Sequence, residues 1–247
     1  MKMSGNTIAI TGGGSGIGRQ LALRFSEFGN RIIVAGRRKE SLEETIAGRP
    51  NMHALVLDVD DPESIESFVT RLVTEHPALN VLINNAGIMR QERLTGRWDL
   101  RDSEQTILTN LLGPIRLTNA LVDHLAVQPD AAIVNVTSGL AFVPLPVTPT
   151  YSATKAALHS FTLSLREQLK GRVEVIELAP PAVQTELTPG QSTRPGFQPL
   201  EEFVDEVMAR FAERPTAEEI LVDRVRFLRW AERDGRFDEA LQALAAT

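Results

Sequence analysis

Short apolar runs rich in β-branched residues alternate with longer helical patterns along most of this chain. The runs predict six strands, at residues 7–11, 31–35, 53–57, 81–84, 131–137 and 173–178. Nearly continuous apolar runs are typical of parallel strands whose two faces are both buried. The alternation with helices therefore predicts an α/β fold, a Rossmann-type doubly wound parallel sheet of six strands with helices on both faces.

The last part of the chain leaves a seventh strand open. Residues 216–230 are predicted as one helix and residues 239–246 as another, so we expect the sheet to stop at six strands. At 247 residues the chain has a length at which α/β folds commonly form one domain, and we expect a single domain over residues 1–247. Residues 188–199, rich in proline, glycine, threonine and glutamine, form the longest predicted loop.

Composition narrows the classes of partner. A net charge of −6 argues against nucleic acid, which favours a basic surface. The chain has no cysteine, which excludes disulfides and fits a reducing cytoplasm. No stretch approaches the roughly 20 apolar residues of a membrane span, so no membrane partner is expected. The four histidines lack metal-ligand spacing and are predicted at helix surfaces or strand edges, so no metal site is predicted; they are His53, His76, His124 and His159.

A glycine-rich turn directly follows the first predicted strand and precedes a helix. It reads Gly12-Gly13-Gly14-Ser15-Gly16-Ile17-Gly18. Glycines at this place allow a tight turn and let main-chain N–H groups approach a pyrophosphate at the helix N-terminus, where the helix dipole favours anions. A glycine cluster elsewhere would indicate only a flexible loop, but the strand–turn–helix context predicts dinucleotide binding.

The glycine spacing Gly12-x-x-x-Gly16-x-Gly18 resembles that of the short-chain dehydrogenase/reductase family. Further motifs follow in the order of that family: Asn84-Asn85-Ala86-Gly87 after the fourth strand, Asn110 in the next helix, Ser138 after the fifth strand, Tyr151-Ser-Ala-Thr-Lys155 at the start of the following helix, and Pro180-Pro181-Ala182-Val183-Gln184-Thr185 after the sixth. The resemblance implies an oxidoreductase that uses a nicotinamide cofactor and a small-molecule carbonyl or alcohol.

Tyr151 and Lys155 form the predicted acid/base pair. Reduction of a carbonyl needs a hydride and a proton for the developing alkoxide, and a free phenol with a pKa of about 10 holds its proton tightly. Positions i and i+4 share one face of a helix, and a neighbouring ammonium favours phenolate. We therefore expect Lys155 to depress the pKa of Tyr151. The alternative is an ordinary pair of neighbours on a solvated helix face.

The resemblance assigns roles to the remaining motif residues. It implies that Ser138 bonds the substrate oxygen, that Lys155 also binds the nicotinamide ribose, and that Asn110 holds a water in a proton relay. Gly113-Pro114 should disturb the helix just beyond Asn110. The residues expected to contact the cofactor are Gly12, Gly14, Ser15, Gly16, Ile17, Gly18, Arg37, Arg38, Asp58, Val59, Asn85, Ala86, Gly87, Tyr151, Lys155, Pro181, Val183 and Thr185.

Two arginines after the second strand favour NADP over NAD. A free ribose 2′-hydroxyl is usually held by a carboxylate at this place, but the chain has Ala35-Gly36-Arg37-Arg38. Guanidinium groups bind a 2′-phosphate bidentately. The alternative is that Arg37 and Arg38 belong to a solvated run of charges with Lys39.

The sequence constrains the substrate less than the cofactor. Pro181 stands where the family usually has glycine, and it removes a main-chain N–H beside the nicotinamide. Residues 186–214 are the predicted substrate loop, whose apolar side chains suggest a cover over an uncharged ketone or alcohol; they are Leu187, Phe197, Leu200, Phe203 and Met208.

Three functions stay open. The first is an NADP-dependent carbonyl reductase or alcohol dehydrogenase, the second an epimerase or dehydratase on the same scaffold, and the third a cofactor-binding sensor without turnover. The resemblance also implies a homo-oligomer formed through helices at about residues 102–127 and 151–170. We expect a dimer rather than a tetramer, because a seventh strand for edge contacts is not predicted.

Overall fold

A single seven-stranded parallel sheet runs through the computed structural model, which describes residues 1–246. Its strands are β1 (Thr7–Thr11), β2 (Arg31–Gly36), β3 (Met52–Val56), β4 (Val81–Asn84), β5 (Ala132–Val136), β6 (Glu174–Leu178) and β7 (Glu219–Ile220). Their order is β3-β2-β1-β4-β5-β6-β7. The six predicted strands are confirmed within one or two residues. The strand order reverses between β1 and β4, and such a switch point opens a crevice at the carboxyl ends of the strands.

Helices cover both faces of the sheet. They are α1 (Gly16–Glu27), α2 (Lys39–Ile46), α3 (Pro62–Glu75), α4 (Arg101–Ile107), α5 (Gly113–Leu125), α6 (Pro149–Gln168), α7 (Leu200–Ala212), α8 (Arg226–Arg229) and α9 (Phe237–Ala245), with a π-helical turn at Leu108–Leu112 between α4 and α5. Asp61 caps α3, because its side chain accepts a hydrogen bond from the main-chain N–H of Glu63 at 3.1 Å. Within residues 1–246, none of these helices is long and apolar enough to cross a bilayer.

Successive residues of one strand belong to two different cores. Ile8 and Ile10 of β1 pack in the core that contains α1 and α7, while Ala9 packs in the core that contains α3 and α5. Because side chains alternate between the two faces of a strand, a sheet covered on both faces needs apolar residues at nearly every position. This is the reason for the nearly continuous apolar runs.

The seventh strand corrects the prediction of one helix over residues 216–230. Glu219 and Ile220 pair in parallel with Glu177 and Leu178 of β6, and Ile220 is fully buried. A two-residue strand is too short to show a period of two, so pairing with β6 overrides the local helical pattern. The stated reason for preferring a dimer was the absence of this strand, and that reason is therefore wrong.

Helix α7 corrects the expected substrate cover. Phe203 and Phe211 are fully buried and Met208 nearly so, and the ring of Phe211 meets that of Phe25 of α1 edge to face at 5.5 Å. The apolar residues of α7 recur at helical spacing because they form the face that packs on α1. Phe203 and Met208 thus belong to the core, and of the predicted cover only Leu187 faces the crevice.

Candidate active site

One continuous cleft runs along the carboxyl ends of the strands, across the switch point between β1 and β4. Its two parts share the glycine-rich turn and the segment after β4. Of the predicted site residues, the cleft is lined by Gly12, Gly14, Ser15, Gly16, Ile17, Arg37, Arg38, Val59, Asn85, Ala86, Gly87, Ser138, Tyr151, Lys155, Pro181, Val183 and Thr185. Gly18, Asp58 and Asn110 do not line it. The fold thus brings segments from the whole length of the predicted motifs to one site.

The glycine turn is shaped by two different demands. Gly12 has a φ of +66°, a left-handed conformation that side chains disfavour. Gly18 lies inside α1, where an added Cβ would lie 2.4 Å from both the Asn85 side-chain nitrogen and the Gly12 carbonyl oxygen. Gly18 therefore shapes the site through close packing with the segment after β4. Ser15, Gly16 and Ile17 begin α1 at the cleft, and the first turn has no acidic residue to repel an anion.

A buried threonine, which the motifs did not single out, joins the ends of β1 and β4. Thr11 Oγ1 accepts hydrogen bonds from the main-chain N–H groups of Asn85 and Ala86, both at 3.0 Å. The Asn85 side chain returns a hydrogen bond to the Thr11 carbonyl at 2.9 Å. Strand-end threonine followed by glycine is the signal that could have identified it, since a hydroxyl both donates and accepts.

Arg37 and Arg38 both lie at the end of the cleft beside the glycine turn. The Arg37 guanidinium is 60% exposed and lies 3.8 Å from the Asp60 carboxylate. Asp60 lines the cleft, and its carboxylate accepts a hydrogen bond from Thr109 Oγ1 at 2.7 Å. Asp58 instead accepts a hydrogen bond from the main-chain N–H of Asp60, so its predicted contact with adenine stays a prediction.

Ser138, Tyr151 and Lys155 are all buried at the other end of the cleft. Tyr151 and Ser138 share a side-chain hydrogen bond. Lys155 Nζ lies 5.6 Å from the centre of the Tyr151 ring and donates to the Val136 carbonyl at 2.8 Å. The predicted i,i+4 neighbours therefore face the interior of the cleft, and the alternative of a solvated helix face is wrong.

Burial changes the acid/base properties of the pair. Burial raises the pKa of Tyr151 to about 12, although the hydrogen bond with Ser138 acts in the opposite direction. Burial also lowers the pKa of Lys155 to about 8. The expected depression of the Tyr151 pKa is therefore wrong for the cofactor-free protein, because desolvation of phenolate outweighs the hydrogen bond with Ser138. Tyr151 is a neutral phenol at physiological pH.

A π-helical turn positions Asn110. The Gly113 N–H bonds the carbonyl of Leu108, five residues earlier, and Pro114 has no N–H to donate to the Asn110 carbonyl in α-helical register. The predicted disturbance at Gly113-Pro114 is confirmed. The fully buried Asn110 side chain bonds both the N–H and the carbonyl of Ile88, each at 2.9 Å. An added Cβ on Gly87 would lie 3.3 Å from Asn110 Oδ1 and 3.7 Å from Lys155 Nζ, so this turn brings Asn110 close to the lysine.

The segment after β6 is braced by a residue from the predicted loop. Gln191 Nε2 donates to the Val183 carbonyl at 2.8 Å and to Thr185 Oγ1 at 3.1 Å. The end of the cleft that contains Tyr151 also includes Arg90, Glu186 and Leu187. This lining is more polar than the predicted apolar cover. Nothing local in the sequence indicates Gln191, because its partners come from the folded segment after β6.

The histidines are more deeply buried than the sequence predicted. His76 is 5% exposed, and the centre of its ring lies 4.8 Å from that of His53. Burial and the charge of His53 lower the pKa of His76. His159, Glu177 and Glu219 bring side-chain ligand atoms within 4.8 Å of one another, the one such group in the described part of the chain. Thr137 and Arg229 supply hydrogen bonds to its two carboxylates.

Comparison with known proteins identifies the family. A family model described as short chain dehydrogenase matches residues 6–195. The chain belongs to the short-chain dehydrogenase family. This short-chain dehydrogenase is 47% identical over 199 residues to the uncharacterized oxidoreductase DltE of Bacillus subtilis (strain 168), covering 80% of this chain and 79% of that protein. It is 36% identical to sulfoacetaldehyde reductase 2 of Chromohalobacter salexigens, over 73% of this chain and 74% of the relative.

Solved structures agree with the Rossmann-type fold. A short chain dehydrogenase from Burkholderia cenocepacia J2315 in complex with NADP matches with a TM-score of 0.82 and 27% identity, over 100% of both chains. The closed form of serine dehydrogenase complexed with NADP+ matches with a TM-score of 0.78 and 26% identity, over 87% of this chain and 93% of the other. This short-chain dehydrogenase is therefore an oxidoreductase by family.

Proposed function

We propose that this protein transfers a hydride between NADP(H) and a small carbonyl or secondary alcohol, with Tyr151 as the general acid/base. The observation that supports this most is that Ser138, Tyr151 and Lys155 face the same cleft as the glycine turn and Arg37. A nicotinamide cofactor is long enough to connect two such ends. Two of the structural neighbours are complexes with NADP or NADP+.

The residues present fit the cofactor. The N-terminus of α1 offers main-chain N–H groups in a first turn that has no acidic residue, as suits a pyrophosphate. Arg37 and Arg38 suit a 2′-phosphate, and the cleft has no carboxylate except Asp60 at that end, whose oxygens are held by Thr109, Gln105 and Arg37. Thr185, with its side chain 3.6 Å from where a Cβ on Gly16 would lie, lines the opposite side.

The bound cofactor would supply the hydride, and the protein would supply the proton. Ser138 and Tyr151 place two hydroxyls where they can donate to a substrate oxygen. A phenol with a pKa of about 12 is protonated at neutral pH, which is the form that donates a proton to a developing alkoxide. The Lys155 ammonium then stabilises the phenolate that remains. We expect the buried Asn110, which lies near Lys155 beside Gly87, to hold a water through which Tyr151 regains its proton.

We propose a small, polar carbonyl substrate. Arg90, Glu186 and Gln191 surround the reactive end together with Leu187, and a mixed polar lining selects by hydrogen bonding and charge. The relatives include proteins named sulfoacetaldehyde reductase and serine 3-dehydrogenase, whose names denote small polar compounds.

A cofactor and substrate panel tests the proposal. Small aldehydes, ketones and hydroxy compounds, charged and uncharged, are incubated with NADPH or NADH, and nicotinamide absorbance is followed. We expect turnover with NADPH in preference to NADH. Tight NADPH binding without oxidation of any member would favour the sensor function, and carbon inversion or loss of water without net oxidation would favour the epimerase or dehydratase.

We also propose that the protein assembles through the faces of α4, α5 and α6. Ile107 of α4 and Leu163 of α6 are both 41% exposed, and these two helices pack together. Large apolar side chains on adjacent exposed faces favour burial between copies. Light scattering measures the number of copies, and a monomer at micromolar concentration would contradict the assignment of this surface.

A further inference from the structure

A buried carboxylate lies on the strand beside the one that leads to Ser138. Glu177 belongs to β6 and is 0% exposed. It accepts a hydrogen bond from Thr137 Oγ1 at 2.6 Å, and its other oxygen lies 2.7 Å from His159 Nδ1. An ionised carboxylate is costly to bury, so its charge requires compensation by a neighbour.

The buried lysine of the active site lies on the same side as this carboxylate. Tyr151, Lys155 and His159 follow one another at intervals of four residues on α6, and such residues share one helix face. His159 reaches Glu177, while Lys155 donates to the carbonyl of Val136, the residue before Thr137. Burial lowers the pKa of Lys155, and the charge of Glu177 acts in the opposite direction.

The other charges at this place are paired with each other. Glu219 of β7 is the register neighbour of Glu177. It accepts two hydrogen bonds from the Arg229 guanidinium, at 2.9 and 2.8 Å. Tyr151 is a neutral phenol. Thr137 and His159 thus contact the Glu177 carboxylate directly, and its negative charge acts on Lys155 and also on Arg229, whose guanidinium is bonded to Glu219.

We propose that Glu177 is a positioning residue, whose carboxylate, oriented by Thr137 and His159, is the counter-charge that keeps Lys155 an ammonium beside Tyr151. Glu177 acts through Lys155 and does not line the cleft. Its consequence for catalysis rests on the proposed function, whereas the coupling between the two charges is measurable without turnover.

The test is a double-mutant cycle on the cofactor-free protein, with Glu177→Gln, Lys155→Met and both. Urea unfolding is followed from pH 7.5 to 11, above the ordinary titration range of imidazole. The folded pKa of Lys155, about 8, is below its unfolded value of 10.5, so stability of the unmodified protein should rise with pH between these values. In Glu177→Gln the folded pKa of Lys155 should lie about one unit lower, a tenfold easier loss of the proton, so the rise should already be steep at pH 7.5, where that of the unmodified protein is only beginning. In the Lys155→Met background, Glu177→Gln should leave the pH profile unchanged.

Glu218→Gln is the matched control, because it makes the same substitution next to β7. Glu218 is 77% exposed and pairs with Arg166, whose guanidinium keeps its charge over the whole range. Its variant should begin to gain stability at the same pH as the unmodified protein. The same onset in Glu177→Gln, or the same effect of Glu177→Gln with and without Lys155, would overturn the proposal.

Two further variants cover failure of Glu177→Gln to fold. His159→Asn keeps a donor near the position of Nδ1, whereas His159→Leu removes it. We expect the onset to move to lower pH only in His159→Leu, and an unchanged onset there would also contradict the proposal. With a substrate from the panel, the alkaline limb of kcat/KM should move down in Glu177→Gln. Absence of turnover in the unmodified protein would count against the proposed function alone, since the unfolding profiles decide this proposal.

Discussion

The nucleotide end of the cleft is built mainly from main-chain groups, whereas the reactive end is built from buried side chains. At the first, the N-terminus of α1 faces the cleft, and Thr11 joins the ends of β1 and β4 through main-chain hydrogen bonds. At the second, Tyr151 and Lys155 are buried, and the lysine donates a hydrogen bond to the carbonyl of Val136 at the end of β5.

This difference explains how the two ends are stabilised. A glycine turn needs only the correct local backbone, so its residues lie within one short segment. The reactive end keeps an ammonium out of water, which costs folding free energy that the rest of the fold must offset. The first end therefore depends on shape and the second on electrostatics. Substitutions should affect the two ends in different measurable quantities.

The largest expected effect is on turnover at the reactive end. Tyr151→Phe should lower kcat by about 10²–10⁴-fold, because it removes the proton donor. The variant should keep its fold and bind NADPH, as measured by circular dichroism and nicotinamide fluorescence. Tyr151 is the only tyrosine, so tyrosinate absorbance in the unmodified protein has one source and should appear near pH 12 without cofactor. Near-normal activity in Tyr151→Phe would contradict the catalytic assignment.

The second prediction concerns the helix that was expected to cover the substrate. Phe211→Ala should lower the free energy of unfolding by about 3–5 kcal/mol, because it empties a fully buried site against Phe25. Leu187→Ala, at the cleft, should cost less than about 1 kcal/mol and act mainly on KM. Urea unfolding and steady-state kinetics distinguish them. Equal losses of unfolding free energy in Phe211→Ala and Leu187→Ala would contradict the assignment of Phe211 to the core and of Leu187 to the cleft.

The third prediction separates stability from activity at Lys155. Lys155→Met should abolish turnover yet raise the free energy of unfolding at pH 7 by up to about 3 kcal/mol, since each pKa unit corresponds to about 1.4 kcal/mol. The lost hydrogen bond to Val136 reduces this gain. Because the folded pKa of about 8 lies below the unfolded value of 10.5, the gain should disappear as pH rises through that range. The difference in free energy of unfolding between Lys155→Met and the unmodified protein should be larger at pH 7 than at pH 10. A larger difference at pH 10 would contradict this prediction.

The smallest effect is expected at the nucleotide end. Arg37→Asp should weaken NADP(H) binding by about 1–1.5 kcal/mol, roughly tenfold, because it replaces a cation by an anion at an exposed and therefore screened position. NADH binding should change little. Lys39→Asp is the matched control, since Lys39 is 69% exposed and does not line the cleft. Fluorescence titration at low and moderate salt measures both, and equal loss in the two variants would indicate a general charge effect.

The glycine turn could be predicted from the sequence, whereas the polar neighbours of the reactive side chains could not, for a physical reason. The positive φ of Gly12 is a local backbone conformation that favours glycine, so the sequence alone indicates the turn. Gln191 and Glu177 are ordinary polar residues until folding brings their partners near them. No local periodicity indicates β7 either, because its two residues are selected by pairing with β6.

The pKa of Tyr151 shows the same limit. Helical spacing correctly placed Lys155 on the face of Tyr151. The spacing could not show how deeply both side chains are buried, and burial decides the sign of the pKa change. Motif order therefore predicts which residues meet, while the balance of charge and solvent requires the whole fold.

The π-helical turn at Leu108–Leu112 makes chain length, rather than residue identity, the determinant of one side chain's direction. A π turn holds one residue more than the α turn it replaces. Deleting a single residue such as Leu111 would relax the turn to α geometry, which leaves the later positions of α5 on nearly the same faces but changes the direction of side chains inside the turn. Asn110 itself would not be substituted, but its side chain would then lose its two hydrogen bonds to the main chain of Ile88. Insertions and deletions in this helix should therefore be tolerated less well than substitutions, which is the reverse of what surface loops allow.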